Sequence, residues 1–325
     1  MSVKNFAVIG RNFVVDDFLK AAAERDDVRL LAVCSRREDT GRAFAEKHGA
    51  ERVYTDPAAL SADPDIDFVY IATPNLFHEA QAVALLRGGK HVLVEKPAAP
   101  TLRGFERMCA AADESGCVLT EAMMPAHMPV LQVVRDWLPR ISPVRTADFS
   151  YCQYSSRYDK FKAGIVENAF DPTLANGALM DIGIYCVHWL AALFGVPDSL
   201  SGVCIFLPHS IDGAGTFAAR FGETLCTVSY SKISDSTLPC QIQGEGGTIT
   251  IDRASRPRTA ELRLRDGTAE RFETPDGHAD MYYELTDFLA LLDGAPALPF
   301  RRMTRDSLSI TDMARDVMGV DFQKR

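Results

Sequence analysis

Five short apolar runs dominate the first 122 residues, each followed by a polar or turn-forming break and most then by residues at helical spacing: Asn5–Gly10, Arg29–Cys34, Asp67–Ala72, His91–Glu95 and Cys117–Glu121. Runs of this kind describe strands buried on both faces, since a strand with one wet face alternates instead. Alternation of such strands with helices points to a doubly wound parallel sheet. A sheet of that kind binds ligands in the crevice beyond the carboxyl ends of its strands, so the polar residues standing there are the first candidates for function.

A chain of 325 residues is too long for one small core and suggests two domains. The change of pattern after Ala122 divides it into 1–122, the doubly wound domain, and 123–325, a second domain of α+β type. A net charge of −9, with no clustered Lys/Arg stripe, argues against nucleic acid as a partner. No continuous apolar run approaches the roughly 18 residues of a membrane span, and Met1-Ser2-Val3-Lys4 leads directly into the first strand, so a cytoplasmic protein without a membrane partner is expected. The eight cysteines are scattered with no Cys-x-x-Cys spacing, which suits reduced, buried thiols and no bound metal.

At the first strand end, Gly10 opens a loop where a dinucleotide fold carries Gly-x-Gly-x-x-Gly, but Asn12 and Val15 stand at the second and third glycine positions. Asn tolerates positive φ and offers a side-chain donor, so Gly10, Asn12, Phe13 and Val14 are candidate cofactor contacts beside a helix N-terminus that favours an anion. The second strand ends at Ser35-Arg36-Arg37, where an NAD-preferring domain usually carries an acid for the ribose hydroxyls. A guanidinium binds a 2′-phosphate with paired donors, so Ser35 and Arg36 point to NADP over NAD, the bland alternative being a solvated basic turn. Thr73-Pro74-Asn75 turns the third run into a helix, with His78 at its start. The apolar run from Lys90 stops at Glu95-Lys96-Pro97, and the proline fixes the backbone after the lysine.

Glu95-Lys96-Pro97, after Tyr70-Ile71-Ala72-Thr73-Pro74-Asn75-x-x-His78, resembles the glucose-fructose oxidoreductase, inositol dehydrogenase and rhizopine-catabolism oxidoreductase family, and the resemblance covers essentially the whole chain. It implies a nicotinamide cofactor lying along Thr73, Pro74, Asn75 and His78, with Glu95 and Lys96 beside it. It also implies that the missing loop glycines are tolerated.

The second half turns to short, partly alternating strands (144–154, 203–207, 216–221, 224–230, 240–243, 248–251 and 260–264), which describe a mainly antiparallel sheet with one covered face. The family resemblance implies that the open face joins subunits, as a homodimer or homotetramer. Read as one helix, Asn176 to Trp189 puts Gly177, Asp181, Tyr185 and His188 on a single stripe free of Lys, Glu and Arg. Such a stripe suits a cavity better than solvent, with Gly177 allowing a ligand near the backbone. Gly-x-x-x-Asp-x-x-x-Tyr resembles the family's second signature; His188 is a substrate-side or a structural residue. Arg157 and Tyr158 lie in a polar, aromatic stretch, either a loop over substrate or an interface loop.

Hydride transfer from a carbinol carbon needs a group that takes the hydroxyl proton. A phenol with a pKa of about 10 is a poor base at neutral pH unless an ammonium stabilises the phenolate. Tyr185 is therefore assigned as acid/base, Lys96 as its electrostatic partner and Asp181 as the orienting group, with the roles of Tyr185 and Lys96 open to exchange. The expected substrate is a sugar, cyclic polyol or trans-diol. Two rivals stay open: a dinucleotide-binding regulator without turnover, and an NAD-assisted glycoside hydrolase.

Overall fold

The computed structural model describes residues 3–322. It divides into two compact units: the chain through Ala122 together with Gly277–Arg301, and Met123–Asp276 together with the segment from Arg302 onward.

The strands of the first unit are β1 Lys4–Ile9, β2 Val28–Cys34, β3 Arg52–Tyr54, β4 Phe68–Ile71, β5 His91–Glu95 and β6 Leu119–Ala122. They form one sheet in the order β3-β2-β1-β4-β5-β6, parallel throughout. The helices between them are α1 Phe13–Ala22, α2 Glu38–His48, α3 Pro57–Ser61, α4 His78–Arg87 and α5 Leu102–Ser115. All four residues of β4 are buried, as expected of a central strand covered on both faces. α5 shows how local sequence sets the boundaries: the Thr101 hydroxyl accepts from the Gly104 amide at 3.2 Å, and Gly116 ends the helix at φ 66°.

The helix Tyr282–Leu292, which the sequence reading groups with 123–325, lies in this first unit. Aromatic packing is the cause. Phe288 meets Phe68 edge-on at 5.1 Å, Phe68 stacks on Phe6 at 5.2 Å, and Arg25 donates to the Thr286 hydroxyl at 2.8 Å.

The second unit is built on β7 Val144–Cys152, β8 Ser199–Phe206, β9 Asp212–Phe221, β10 Thr224–Ser231, β11 Cys240–Gly244, β12 Gly247–Ile251, β13 Thr259–Leu264 and β14 Ala269–Glu273. Their order is β14-β13-β12-β11-β7-β10-β9-β8, antiparallel apart from the parallel β7–β10 pair. Helices Pro129–Ile141 and Ile184–Phe194 pack on this sheet. The Trp189 indole N–H donates to the Ala254 carbonyl at 2.9 Å, giving the buried ring's one polar atom a partner. Strand β8 instead leaves Val203 70% and Ile205 58% exposed, and Leu225 on β10 is 56% exposed.

The helical segment Pro172–Phe194 is long and apolar enough to cross a membrane, with a mean hydropathy of 1.5 over its most apolar window, although no unbroken apolar run reaches that length. Of that window 72% is buried inside the protein, which makes it a core helix.

Candidate functional site

The order of the first sheet reverses between β1 and β4, and the crevice beyond their carboxyl ends is where this topology takes a ligand. Gly10 leaves β1 at φ 121°, and a Cβ there would stand 2.5 Å from the Ala72 carbonyl oxygen, so only glycine lets the two strand ends come this close. Asn12 is the N-cap of α1 at φ −84°, its Oδ1 accepting from the amides of Val14 and Val15 at 3.1 and 3.2 Å while its Nδ2 donates to Ala72 O at 3.0 Å. Asn12 therefore neither needs positive φ nor keeps that side-chain donor for a phosphate, contrary to the sequence expectation. Phe13 is 56% exposed beside it, and Val14 is half-buried.

Beyond β2, Ser35 is buried and lies 3.3 Å from the Thr40 hydroxyl. Arg36 is exposed and Arg37 is ion-paired to Asp39. Asp39 sits below the usual carboxylate range, chiefly through the Arg37 hydrogen bond, then the Thr40 amide, with a contribution from Arg11 in the Gly10 loop. A basic pair, Arg11 and Arg36, thus flanks the ends of β1 and β2 where a ribose acid is usual.

The turn after β5 is held at three points. The Lys96 amide donates to Glu95 Oε2 at 3.2 Å, Pro97 O lies 2.9 Å from His78 Nδ1, and the Ala98 amide donates to Glu121 Oε1 at 2.7 Å. The other His78 nitrogen lies 2.7 Å from Thr73 O, so the ring ties the loop after β4 to the turn after β5. His78 is fully buried with both nitrogens facing protein carbonyls, so it clasps the two loops together. Burial, with the Lys96 ammonium, holds the ring below the ordinary histidine range against the pull of the two carbonyls. Thr73 donates to Gln81 Oε1 at 2.7 Å, Pro74 is half-buried, and Asn75 is buried.

Lys96 itself is half-buried, while Glu95 beside it is buried and accepts the Tyr70 hydroxyl at 2.5 Å. Burial raises the Glu95 carboxyl, against the opposing pull of Tyr70 and then of Lys96. Glu284, from helix Tyr282–Leu292, is 1% exposed, and neither of its carboxyl oxygens has a hydrogen-bond partner. Burial and then the charge of Glu95 push it well above the usual range.

In the second unit, Asp181 lies in a π-helical turn, Leu179–Gly183, that leads into helix Ile184–Phe194. The expected uniform α-helical stripe is thus broken where its ionisable group sits. Gly177 precedes the turn at φ 150°, and a Cβ there would collide with the Asp212 carboxylate, so a protein side chain fills the space expected for a ligand. Asp212 accepts the Leu179 amide at 2.7 Å and is pushed up to about 6, chiefly by burial. Asp181 is paired with Lys232 at 2.7 Å, and Tyr185 is half-buried, edge-on to Tyr151 at 5.8 Å. His188 is 2% exposed with neither nitrogen hydrogen-bonded and is driven down to about 3 by burial, then by His127 and Arg135. It is a buried, neutral ring. Arg157 pairs with Glu167 at 3.3 Å, and Tyr158 packs on Phe161 and Phe170 at 6.4 and 5.8 Å.

Residues 4–123 match the model of an oxidoreductase family with an NAD-binding Rossmann fold, and residues 141–250 match the GFO/IDH/MocA C-terminal domain. The chain is 43% identical to the scyllo-inositol 2-dehydrogenase (NADP(+)) IolU of Bacillus subtilis, over 98% of each chain. The chain belongs to the GFO/IDH/MocA oxidoreductase family. It is also 28% identical to the trans-1,2-dihydrobenzene-1,2-diol dehydrogenase of Mus musculus, over 98% of this chain and 97% of the relative. In fold it is similar to KijD10, a 3-ketoreductase from Actinomadura kijaniata solved with NADP and TDP-benzene, with a TM-score of 0.84 at 24% identity over 98% of each chain.

Sequence reasoning singled out Glu95-Lys96-Pro97, Asp181 and Tyr185, and missed four groups: Glu121, Glu284, Asp212 and Lys232. The one signal available was a carboxylate or lysine at the end of an apolar run, as in Tyr230-Ser231-Lys232. Glu284 sits in an amphipathic helix where nothing marks it as buried.

Because the folded pKa of Glu284 is raised, its contribution to stability is full below the unfolded value and is lost as pH rises toward the folded one. Glu284→Gln imitates the protonated acid. Thermal unfolding followed across pH should give equal midpoints near pH 4, with the variant gaining up to about 1.4 kcal/mol per pH unit above that. A gain that does not grow with pH contradicts the assignment.

Proposed function

We propose that this oxidoreductase is an NADP-preferring dehydrogenase acting on a carbinol carbon of a sugar, cyclic polyol or trans-diol. The observation that carries the reading is the turn bearing Lys96, whose backbone is held at the carboxyl end of β5 by hydrogen bonds from Glu95, His78 and Glu121. The full-length likeness to a scyllo-inositol 2-dehydrogenase (NADP(+)) supports the substrate class and the cofactor. The switch point at β1 and β4, with Gly10 at its close approach, suits a dinucleotide. When bound, the nicotinamide accepts or returns the hydride.

In this reading Tyr185 takes the hydroxyl proton as the carbinol C–H leaves as hydride, the Lys96 ammonium stabilises the phenolate and donates to the substrate oxygen, and Asp181 orients the hydroxyl. Phe13, Val14, Thr73 and Asn75 line the cofactor's course. Absorbance of reduced cofactor, followed with scyllo-inositol, aldoses and trans-diols, tests the activity. Lys96→Met and Tyr185→Phe should each lower kcat by at least about 100-fold, the scale of a lost general acid/base. Near-full turnover by Tyr185→Phe across pH removes the phenol from the mechanism.

Arg36, joined by Arg11, takes the 2′-phosphate through paired donors. Arg36→Ala should raise KM for NADP about 10-fold or more, roughly the 1.5–3 kcal/mol of a charged hydrogen bond, and leave KM for NAD nearly unchanged. Equal losses for both cofactors contradict the preference.

The exposed Val203, Ile205 and Leu225 on the outer face of the second sheet support assembly of a homodimer or homotetramer through that face. Light scattering should give a dimer or larger for the native protein and a monomer for Val203→Glu/Ile205→Glu. A native monomer overturns this assignment. The eight cysteines, none in a disulfide, suit a reducing compartment, in keeping with a cytoplasmic location.

A further inference from the structure

Lys232 follows β10 and is almost wholly enclosed, its side chain 3% exposed. Its ammonium donates to Ala169 O at 2.6 Å, lies 4.5 Å from the centre of the Phe170 ring and meets Asp181 Oδ2 at 2.7 Å. The backbone is held as tightly: Lys232 N donates to Gly213 O at 2.8 Å, and Lys232 O accepts the Ser155 amide at 2.9 Å. Its partner differs, because the Asp181 side chain keeps 29% of its surface exposed. The lysine is committed inward while the carboxylate it holds stays accessible.

A purely structural role explains this poorly. Enclosing an ammonium is costly, and a buried ion pair gives the fold little that a packed apolar pair would not. What the pair does supply is a fixed orientation. Asp212 ties the π-helical turn to the sheet through the Leu179 amide, and Lys232 ties the same turn through the Asp181 carboxylate. Through Ala169 and Phe170 it also joins that turn to the loop carrying Arg157 and Tyr158.

We propose that Lys232 is a positioning residue that orients the Asp181 carboxylate toward the substrate hydroxyl by an enclosed ion pair. The inference rests on the role given to Asp181 under Proposed function.

A double-mutant cycle tests it, with Lys232→Met, Asp181→Asn and the pair combined, measured by steady-state turnover of whichever polyol the substrate panel selects and by thermal unfolding of the cofactor-free protein. Lys232→Met should lower kcat about 100-fold, the scale of a displaced catalytic group, with KM for NADP unchanged. In the Asp181→Asn background the same change should lower kcat less than about 3-fold, since the group it positions is already lost. Should Lys232→Met fail to fold, Lys232→Gln, which keeps a donor without the charge, takes its place in the cycle. In unfolding, the combined variant should recover most of the midpoint lost by Lys232→Met, because no lone charge remains enclosed.

Multiplicative losses in kcat, or a normal kcat for the Lys232 variant while Asp181→Asn is impaired, overturn the role of Lys232 and leave the dehydrogenase reading standing. Full turnover by Asp181→Asn overturns the role of Asp181 and the proposal with it. No turnover by the native protein on the panel, with independent unfolding losses at the two positions, overturns both.

Discussion

A charge at the end of a buried strand must meet an opposite charge or a hydrogen-bond donor before water is excluded, and both units are shaped by that demand. In the first unit the enclosed member is a carboxylate, Glu95, supported by Tyr70 and the Lys96 amide, and the accessible member is Lys96. In the second unit the signs are exchanged: Lys232 is enclosed and Asp181 is accessible. Each proposed working group thus has an oppositely charged neighbour on the inside.

The sheet of the first unit was legible because parallel strands covered on both faces leave continuous apolar runs, a signal that survives without knowledge of the partners. Two strands left no such trace. β3 has three residues, and β14, Ala-Glu-Arg-Phe-Glu, is a charged strand at the sheet's edge, where exposure removes the apolar alternation. The assignment of helix Tyr282–Leu292 to the first unit was illegible for a different reason: Phe288 and Phe68 are far apart in the chain, and composition does not record which core an apolar face will join.

The site was legible where chemistry and backbone punctuation coincide, as at Glu95-Lys96-Pro97, and misread where a residue's meaning depends on what packs against it. Gly177 has the φ of a position reserved for glycine, but the group approaching it is Asp212, from the start of another strand. His78 and His188 look alike in sequence. One is a two-ended clasp between strand-end loops, and the other is an unpartnered neutral ring in the core. Periodicity also assumed an ideal helix through Asp181, and a π-helical turn changes the angular spacing at that residue.

A hydroxyl proton leaving a carbinol builds negative charge on oxygen, and the groups that stabilise it are most effective when they need not reorganise as the charge appears. Long side chains such as lysine lose rotamer freedom on being fixed, a cost met either at each turnover or once, during folding. The Lys96 turn is fixed during folding. Its backbone amides and carbonyl are engaged by Glu95, His78 and Glu121, so the stem of the side chain starts from a set position.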